Sequence, residues 1–187
     1  MSIWEEFSSL PGRIFLDSST LQAIYDYGGA VFENEPIPPD DRLHAVPQGA
    51  EKVEALRNIF LVNERAHFQF ALSDHSFREV GASERPGYLR YALDVLDHWL
   101  ICQEESESPS ERARDLAARL DSGSFGYLGA GDRQLIRDAV AFECDAFLTM
   151  ERRLPKNAPH IQRELGLLVL SPLDYWKMLQ PWAALFA

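Results

Sequence analysis

Short apolar runs alternating with helix-like stretches constrain this chain more than any other feature. Residues 13–16 read RIFL, residues 67–73 HFQFALS, residues 146–149 AFLT and residues 167–170 LLVL. In the second run, Phe68, Phe70 and Leu72 alternate at the period-two spacing of a strand. Between the runs, apolar residues recur at helical spacing: Leu21, Ile24 and Tyr25, then Val53, Leu56, Ile59 and Phe60, then Leu135, Ile136, Ala139 and Val140. Strands that alternate with helices predict a parallel sheet covered on both sides. The expected fold class is α/β, a three-layer α/β/α sandwich with a mainly parallel central sheet. Such sheets bind ligands outside the carboxyl ends of their strands, so the residues that follow each run matter most.

The 187 residues fit one domain, with a loop insertion at about 30–49 and a helical insertion at about 84–131. The loop holds Pro36, Pro38, Pro39 and Pro47 and follows Gly28-Gly29, expected to end the first helix. Residues 50–66 read as a helix, and Ser73 or Ser76 is expected to cap the short helix that carries Glu79. In the second insertion, Leu89, Ala92, Leu93, Leu96 and Leu100 form the stripe of an amphipathic helix over residues 88–102. After a polar hinge at 104–111, Ser108, Pro109 and Glu111 predict a helix start, with the helix running to about Leu120. Residues 121–131 read as a flexible loop, after which Asp132 opens another helix. Ser171-Pro172 starts the last helix, which carries Tyr175, Trp176 and Leu179.

Charge and composition exclude several classes. A formal net charge of -11 counts against wide, nonspecific nucleic-acid binding. A small basic cluster, Arg152, Arg153 and Lys156 with Arg163, remains able to grip a phosphate, or simply to offset an acidic surface. Cys102 and Cys144 lie in no paired motif and predict free thiols in a reducing compartment. The first residues lack the pattern of a secretory signal, and no run approaches the ~20 apolar residues of a membrane span. The expected location is cytoplasmic. The histidines show no metal-ligand spacing, and His75 reads as a surface or cap residue. LGAGDRQ lacks the remaining glycines of a dinucleotide loop, and LDSST lacks the second Asp of an aspartyl-phosphate hydrolase. The tail YWKMLQPWAALFA is apolar enough to pack on its own sheet, or else to meet a second copy or another protein.

Acids follow the apolar runs. Asp17 ends the first, Glu79 lies on the helix after the second, Asp132 starts the helix into the third, and Glu151 lies just past it. All can reach one rim of the sheet. Clustered carboxylates repel unless cations sit among them, and oxygen-only ligation suits Mg²⁺ or Mn²⁺. One or two such ions can activate water and clamp a phosphate, the chemistry of a phosphodiesterase. Each acid also has a simpler account. Asp17 or Ser18 caps a helix, Asp132 caps another, Glu79 is a solvated helix residue, and Glu151 pairs with a neighbouring arginine.

In order and spacing, these pieces resemble the PIN-domain nuclease family over most of the chain, with insertions between them. FLDSSTL resembles the opening strand and FALSDHSFREV the second segment. DRQLIRDAVAFECDAFLTMERRL is the most specific piece: Asp145, Thr149 and an acid follow Asp132 at thirteen, seventeen and nineteen positions. LGLLVLSPLDYWKML resembles the last strand, proline and closing helix. The resemblance implies a Rossmann-like sandwich with a divalent-metal site held by Asp17, Glu79, Asp132 and Glu151. Ser19 and Thr149 would orient carboxylates or waters. The family's usual fourth acid is Asp, and Glu151 carries its carboxylate outward by about one bond length, roughly 1.5 Å.

The implied function is a Mg²⁺- or Mn²⁺-dependent ribonuclease that hydrolyses phosphodiester bonds in single-stranded RNA through metal-activated water. Arg152, Arg153 and Lys156 would hold the backbone. The alternative is a PIN-like binding or scaffold module of weak or lost activity, such as one half of a toxin–antitoxin pair or a complex subunit. A metal-dependent phosphatase on a small ester is a third reading of the same site. The two insertions would narrow or cover it.

Overall fold

The computed structural model describes residues 3–81, 87 and 109–185. Its centre is a sheet of β1 (Arg13–Leu16), β2 (Gln69–Ala71), β3 (Ala146–Leu148) and β4 (Leu168–Leu170). The strands lie in the order β2-β1-β3-β4 and every pairing is parallel. The parallel pairing follows from the pattern in the sequence: helical segments between successive strands carry the chain back over the sheet.

The helices form two layers. On one face lie α2 (Ser18–Asp26), α3 (Gly28–Phe32), α4 (Gly49–Ala66) and α9 (Pro172–Leu179). They pack on Ile14, Leu16, Phe70, Ala146 and Leu148. On the other lie α6 (Glu111–Leu120), α7 (Ala130–Ala141) and α8 (Ala158–Leu165), packed on Phe15, Ala71, Phe147 and Val169. Successive strand residues therefore feed opposite cores, as a pleated strand buried on both sides requires. The chain is an α/β/α sandwich, as its alternating runs predict. No described helix is long and apolar enough to cross a membrane.

Several local boundaries differ from those expected. Gly28-Gly29 does not stop the first helix; Asp26 ends it, and the glycines begin α3. The following loop is partly ordered by a 3-10 turn, Arg42–Ala45, whose Leu43 backbone N–H donates to the Asp41 carboxylate. His67 is not in a strand but closes α4 in the left-handed conformation, with φ of 56°. Ser110, not Ser108, caps α6, its Oγ accepting from the Ala113 N–H at 3.1 Å, so Pro109 precedes the helix. Phe125 and Leu128 are buried in the segment expected to be a flexible loop, tying it into the second core. The helix expected over residues 88–102 lies outside the described residues.

Two features fix the last helix to the sheet. Ser171 and Asp174 form a reciprocal capping box at the start of α9. Tyr175, fully buried, donates from its hydroxyl to the Pro11 carbonyl at 2.8 Å. The apolar tail turns back on its own chain: Trp182 packs edge-on against Phe7 of α1 (Ile3–Ser8), and Phe7 also meets Phe68.

Candidate functional site

The strand order reverses between β1 and β3, because β2 lies on one side of β1 and β3 on the other. In open α/β sheets such a reversal marks the crevice at the carboxyl ends of the strands, the usual binding place. Asp17 leaves β1 there, and Thr149 leaves β3. Both still belong to the ladder: Asp17 N–H donates to Leu148 O and Thr149 N–H to Leu170 O, each at 3.0 Å. The strands thus fix both main chains to the sheet before either side chain does anything.

Asp17 occupies the N-cap position of α2, yet its side chain makes no capping hydrogen bond. Its backbone carbonyl accepts from the Thr20 and Leu21 N–H groups instead. The carboxylate turns to two hydroxyls: Ser19 Oγ donates to Oδ2 at 2.5 Å and Thr149 Oγ1 donates to the same oxygen at 2.7 Å. Among the described residues, Oδ1 has only a long contact from Ser18, at 3.5 Å. A plain helix cap would keep its carboxylate on its own N–H groups, so the simplest account of this acid does not describe it.

Asp17 is only 5% exposed. Burial pushes its carboxyl above the ordinary range; the Ser19 and Thr149 hydroxyls pull it back, and the charges of Glu79 and Asp132 push it up again. Glu151 is also held above its ordinary value, first by loss of water, then by Asp17 and Asp132, with Arg153 opposing and Glu79 adding. Asp17, just after β1, and Glu151, in the turn after β3, thus each feel the charges of Glu79 on α5 (Asp74–Gly81) and of Asp132 on α7.

The individual placements differ in detail from expectation. Asp132 does not open its helix: α7 begins at Ala130, and Asp132 is its third residue, in the first turn. Glu79 is not a free solvated residue. Its Oε1 lies 3.5 Å from His75 Nε2 and would be 2.9 Å from a Cβ at Gly131, so it leans on the first turn of α7 through the space a glycine leaves. Glu151 is exposed, as are Arg152, Arg153 and Lys156 beside it; Lys156 lies in a 3-10 turn, Leu154–Asn157. Asp145 is not in the crevice at all, but at the amino end of β3.

Lys52 and Asp138 escaped the sequence reading, and His75 reads there as a surface or cap residue. Lys52 is 6% exposed and its Nζ donates to Met150 O at 2.8 Å, at the turn between Thr149 and Glu151. A usable signal existed: Lys52 lies four and seven residues before Leu56 and Ile59, on the inner face of α4. His75 lies beside Glu79 and its charge also acts on Asp138. The Asp138 carboxyl is held high by burial, while Ser73, Gln134 and His75 lower it.

Among the described residues, no three His, Cys, Asp or Glu side chains form a ready-made metal nest. The donor chemistry nevertheless fits a hydrated hard cation. Mg²⁺ keeps several of its waters and commonly takes only one or two protein carboxylates directly. Asp17 offers the nearly free Oδ1, and the other acids supply charge around it. A separate cavity of about 250 Å³ lies near the other end of the sheet, among Arg112, Glu143, Cys144, Asp145 and Gly166. No protein-family model matches the chain, and no curated protein or solved structure matches it.

Proposed function

We propose that this chain is a divalent-metal-dependent ribonuclease of the PIN-like kind, cytoplasmic and acting on single-stranded RNA. Asp17 carries the reading. It is a buried carboxylate at the switch point of a parallel sheet, turned away from its own helix and set among other acids. Burying a carboxylate costs free energy that helix capping would not demand. A hard dication offsets that cost; when bound, Mg²⁺ or Mn²⁺ supplies Lewis-acid activation of water and neutralises charge on a phosphodiester.

The chain's own residues divide the remaining work. Asp17 presents Oδ1 while Ser19 and Thr149 hold Oδ2 still. Asp132, in the first turn of α7, Glu79, against the same turn, and Glu151, past β3, hold the ion and its water shell. Arg152, Arg153 and Lys156, exposed beside Glu151, bind flanking phosphates and do not choose a base. Labelled single-stranded RNA incubated with Mn²⁺ tests the reading. Wild type is expected to cleave it, and Asp17→Asn and Asp132→Asn to lose more than about 100-fold, beyond the loss typical of outer positioning groups. Equal activity in all three proteins overturns it.

A second reading has its own support. Glu151 faces solvent and no three-residue nest is formed among the described residues. These favour a PIN-like module that binds a protein partner, such as an antitoxin or a second copy, with weak or no catalysis. Calorimetry with Mn²⁺ separates the two. Carboxylate-dependent binding supports the nuclease, and no heat supports the module.

A further inference from the structure

An ammonium group is among the costliest to bury, and a lysine on α4 could reach solvent with small adjustment. Lys52 does not. It lies beneath the turn after β3, with Nζ 2.8 Å from Met150 O. Burial and the nearby Arg152 charge pull its pKa down, and Asp174 only partly restores it. Methionine of similar length would fill the space without that penalty.

The connection lies in one peptide unit. Met150 C=O and Glu151 N–H belong to the same planar amide and point in opposite directions. Lys52 fixes the carbonyl on one side. On the other, the Glu151 N–H donates to Thr149 Oγ1 at 3.0 Å. A hydroxyl that accepts there sends its own proton elsewhere, and Thr149 sends it to Asp17 Oδ2. The preceding amide repeats the device: Met150 N–H donates to Ser19 Oγ at 3.2 Å, and Ser19 donates to the same Oδ2. A cation on the carbonyl also polarises the amide and strengthens its N–H as a donor.

We propose that Lys52 is a positioning residue: through the Met150–Glu151 peptide it aims the Thr149 hydroxyl at Asp17 Oδ2, leaving Oδ1 for the ligand. The effect on a metal ion rests on the ribonuclease reading; the orientation of the peptide does not. Helix α4 thereby reaches the site without touching it.

The test uses the full chain as wild type, Lys52→Met and Lys52→Arg. In the metal-free proteins, hydrogen exchange of the Glu151 amide is followed by NMR. Lys52→Met is expected to speed Glu151 exchange about tenfold or more, while Phe15 and Phe147 in the sheet keep their rates. Lys52→Arg, which still offers a donor, stays close to wild type. Mn²⁺ titrated into each protein is then expected to bind Lys52→Met about tenfold more weakly, the scale seen for groups that orient metal ligands. Unchanged Glu151 protection in Lys52→Met overturns the proposal, as does a uniform rise across the sheet, which marks a lysine that only supports the fold. Exposed Glu151 with unchanged Mn²⁺ affinity overturns the link to Asp17. Absence of Mn²⁺ binding by wild type overturns the ribonuclease reading and leaves exchange to judge Lys52. If Lys52→Met does not fold, Lys52→Leu, which also lacks a donor, replaces it in the same comparison.

Discussion

Two aspartates mark opposite ends of the same strand pair, and each receives two hydrogen bonds on Oδ2. Asp145, at the amino end of β3, accepts from the Gly12 and Arg13 backbone N–H groups at 3.0 and 2.8 Å. Asp17, at the carboxyl end of β1, accepts from the Ser19 and Thr149 hydroxyls. The donors to Asp145 are fixed main-chain groups, and the carboxylate is exposed, so it works as a staple between neighbouring strands. The donors to Asp17 are rotatable, the carboxylate is buried, and the charges of Glu79 and Asp132 act on it. Identical side chains with equal numbers of bonds thus do different work. One stabilises the fold, and the other is buried as a carboxylate at a cost in free energy.

Substitution of each aspartate is expected to separate stability from ligand binding in opposite directions. Asp17→Asn should lose more than about 100-fold in Mn²⁺-dependent cleavage, yet melt higher without metal. The amide oxygen still accepts from Ser19 and Thr149, and the buried charge is gone. The pH dependence has a definite sign. A carboxyl whose folded pKa is raised above 3.8 binds its proton more tightly when folded. Its stabilising contribution is complete below that value and is lost as pH rises through the folded pKa. Wild type and Asp17→Asn should therefore melt alike in strong acid and diverge as pH rises, each kcal/mol being worth about 2–4 °C in a chain of this size. A constant gap across the titration would break the comparison.

Asp145→Ala should do the reverse. Removing an acceptor from two backbone N–H groups costs about 2 kcal/mol and lowers the melting temperature, with Mn²⁺ affinity unchanged. Calorimetry on the folded variant checks the second half. Thr149→Val, similar in shape but without the hydroxyl, should weaken Mn²⁺ binding about tenfold and cost about 1 kcal/mol, since the Glu151 N–H loses its acceptor. The smallest effect belongs to Ser110→Ala, which removes the cap of α6 far from the crevice. It should cost about 1 kcal/mol in chemical denaturation and leave metal binding and cleavage as they were.

Much of the architecture was legible because it depends on short-range pattern. RIFL, HFQFALS, AFLT and LLVL mark the strands, and Ser171-Pro172 marks the start of α9. Boundaries governed by competing local signals were less legible. Ser108 and Ser110 both precede Glu111 in the sequence, and the cap is Ser110, which accepts from the Ala113 N–H. Gly28-Gly29 reads as a stop, but Val31 finds a place in the first core, so the chain resumes as helix. Lys52 illustrates the limit of side-chain type as a guide. Its helical spacing pointed inward while its charge pointed outward, and a carbonyl brought from another part of the chain decided between them.

By itself the sequence determined the alternation of strands and helices, hence a parallel sheet between two helical layers, because periodicity and chain length act locally. It also supplied a set of acids just beyond the strands. Which aspartate became a staple and which became a buried carboxylate was decided only when β1 paired with β3. That pairing set Thr149 against Asp17 across 132 residues and placed Asp145 at the opposite end. Solvent exposure and hydrogen-bond partners at that range are properties of strand order, and no local stretch of either aspartate's neighbours contains them.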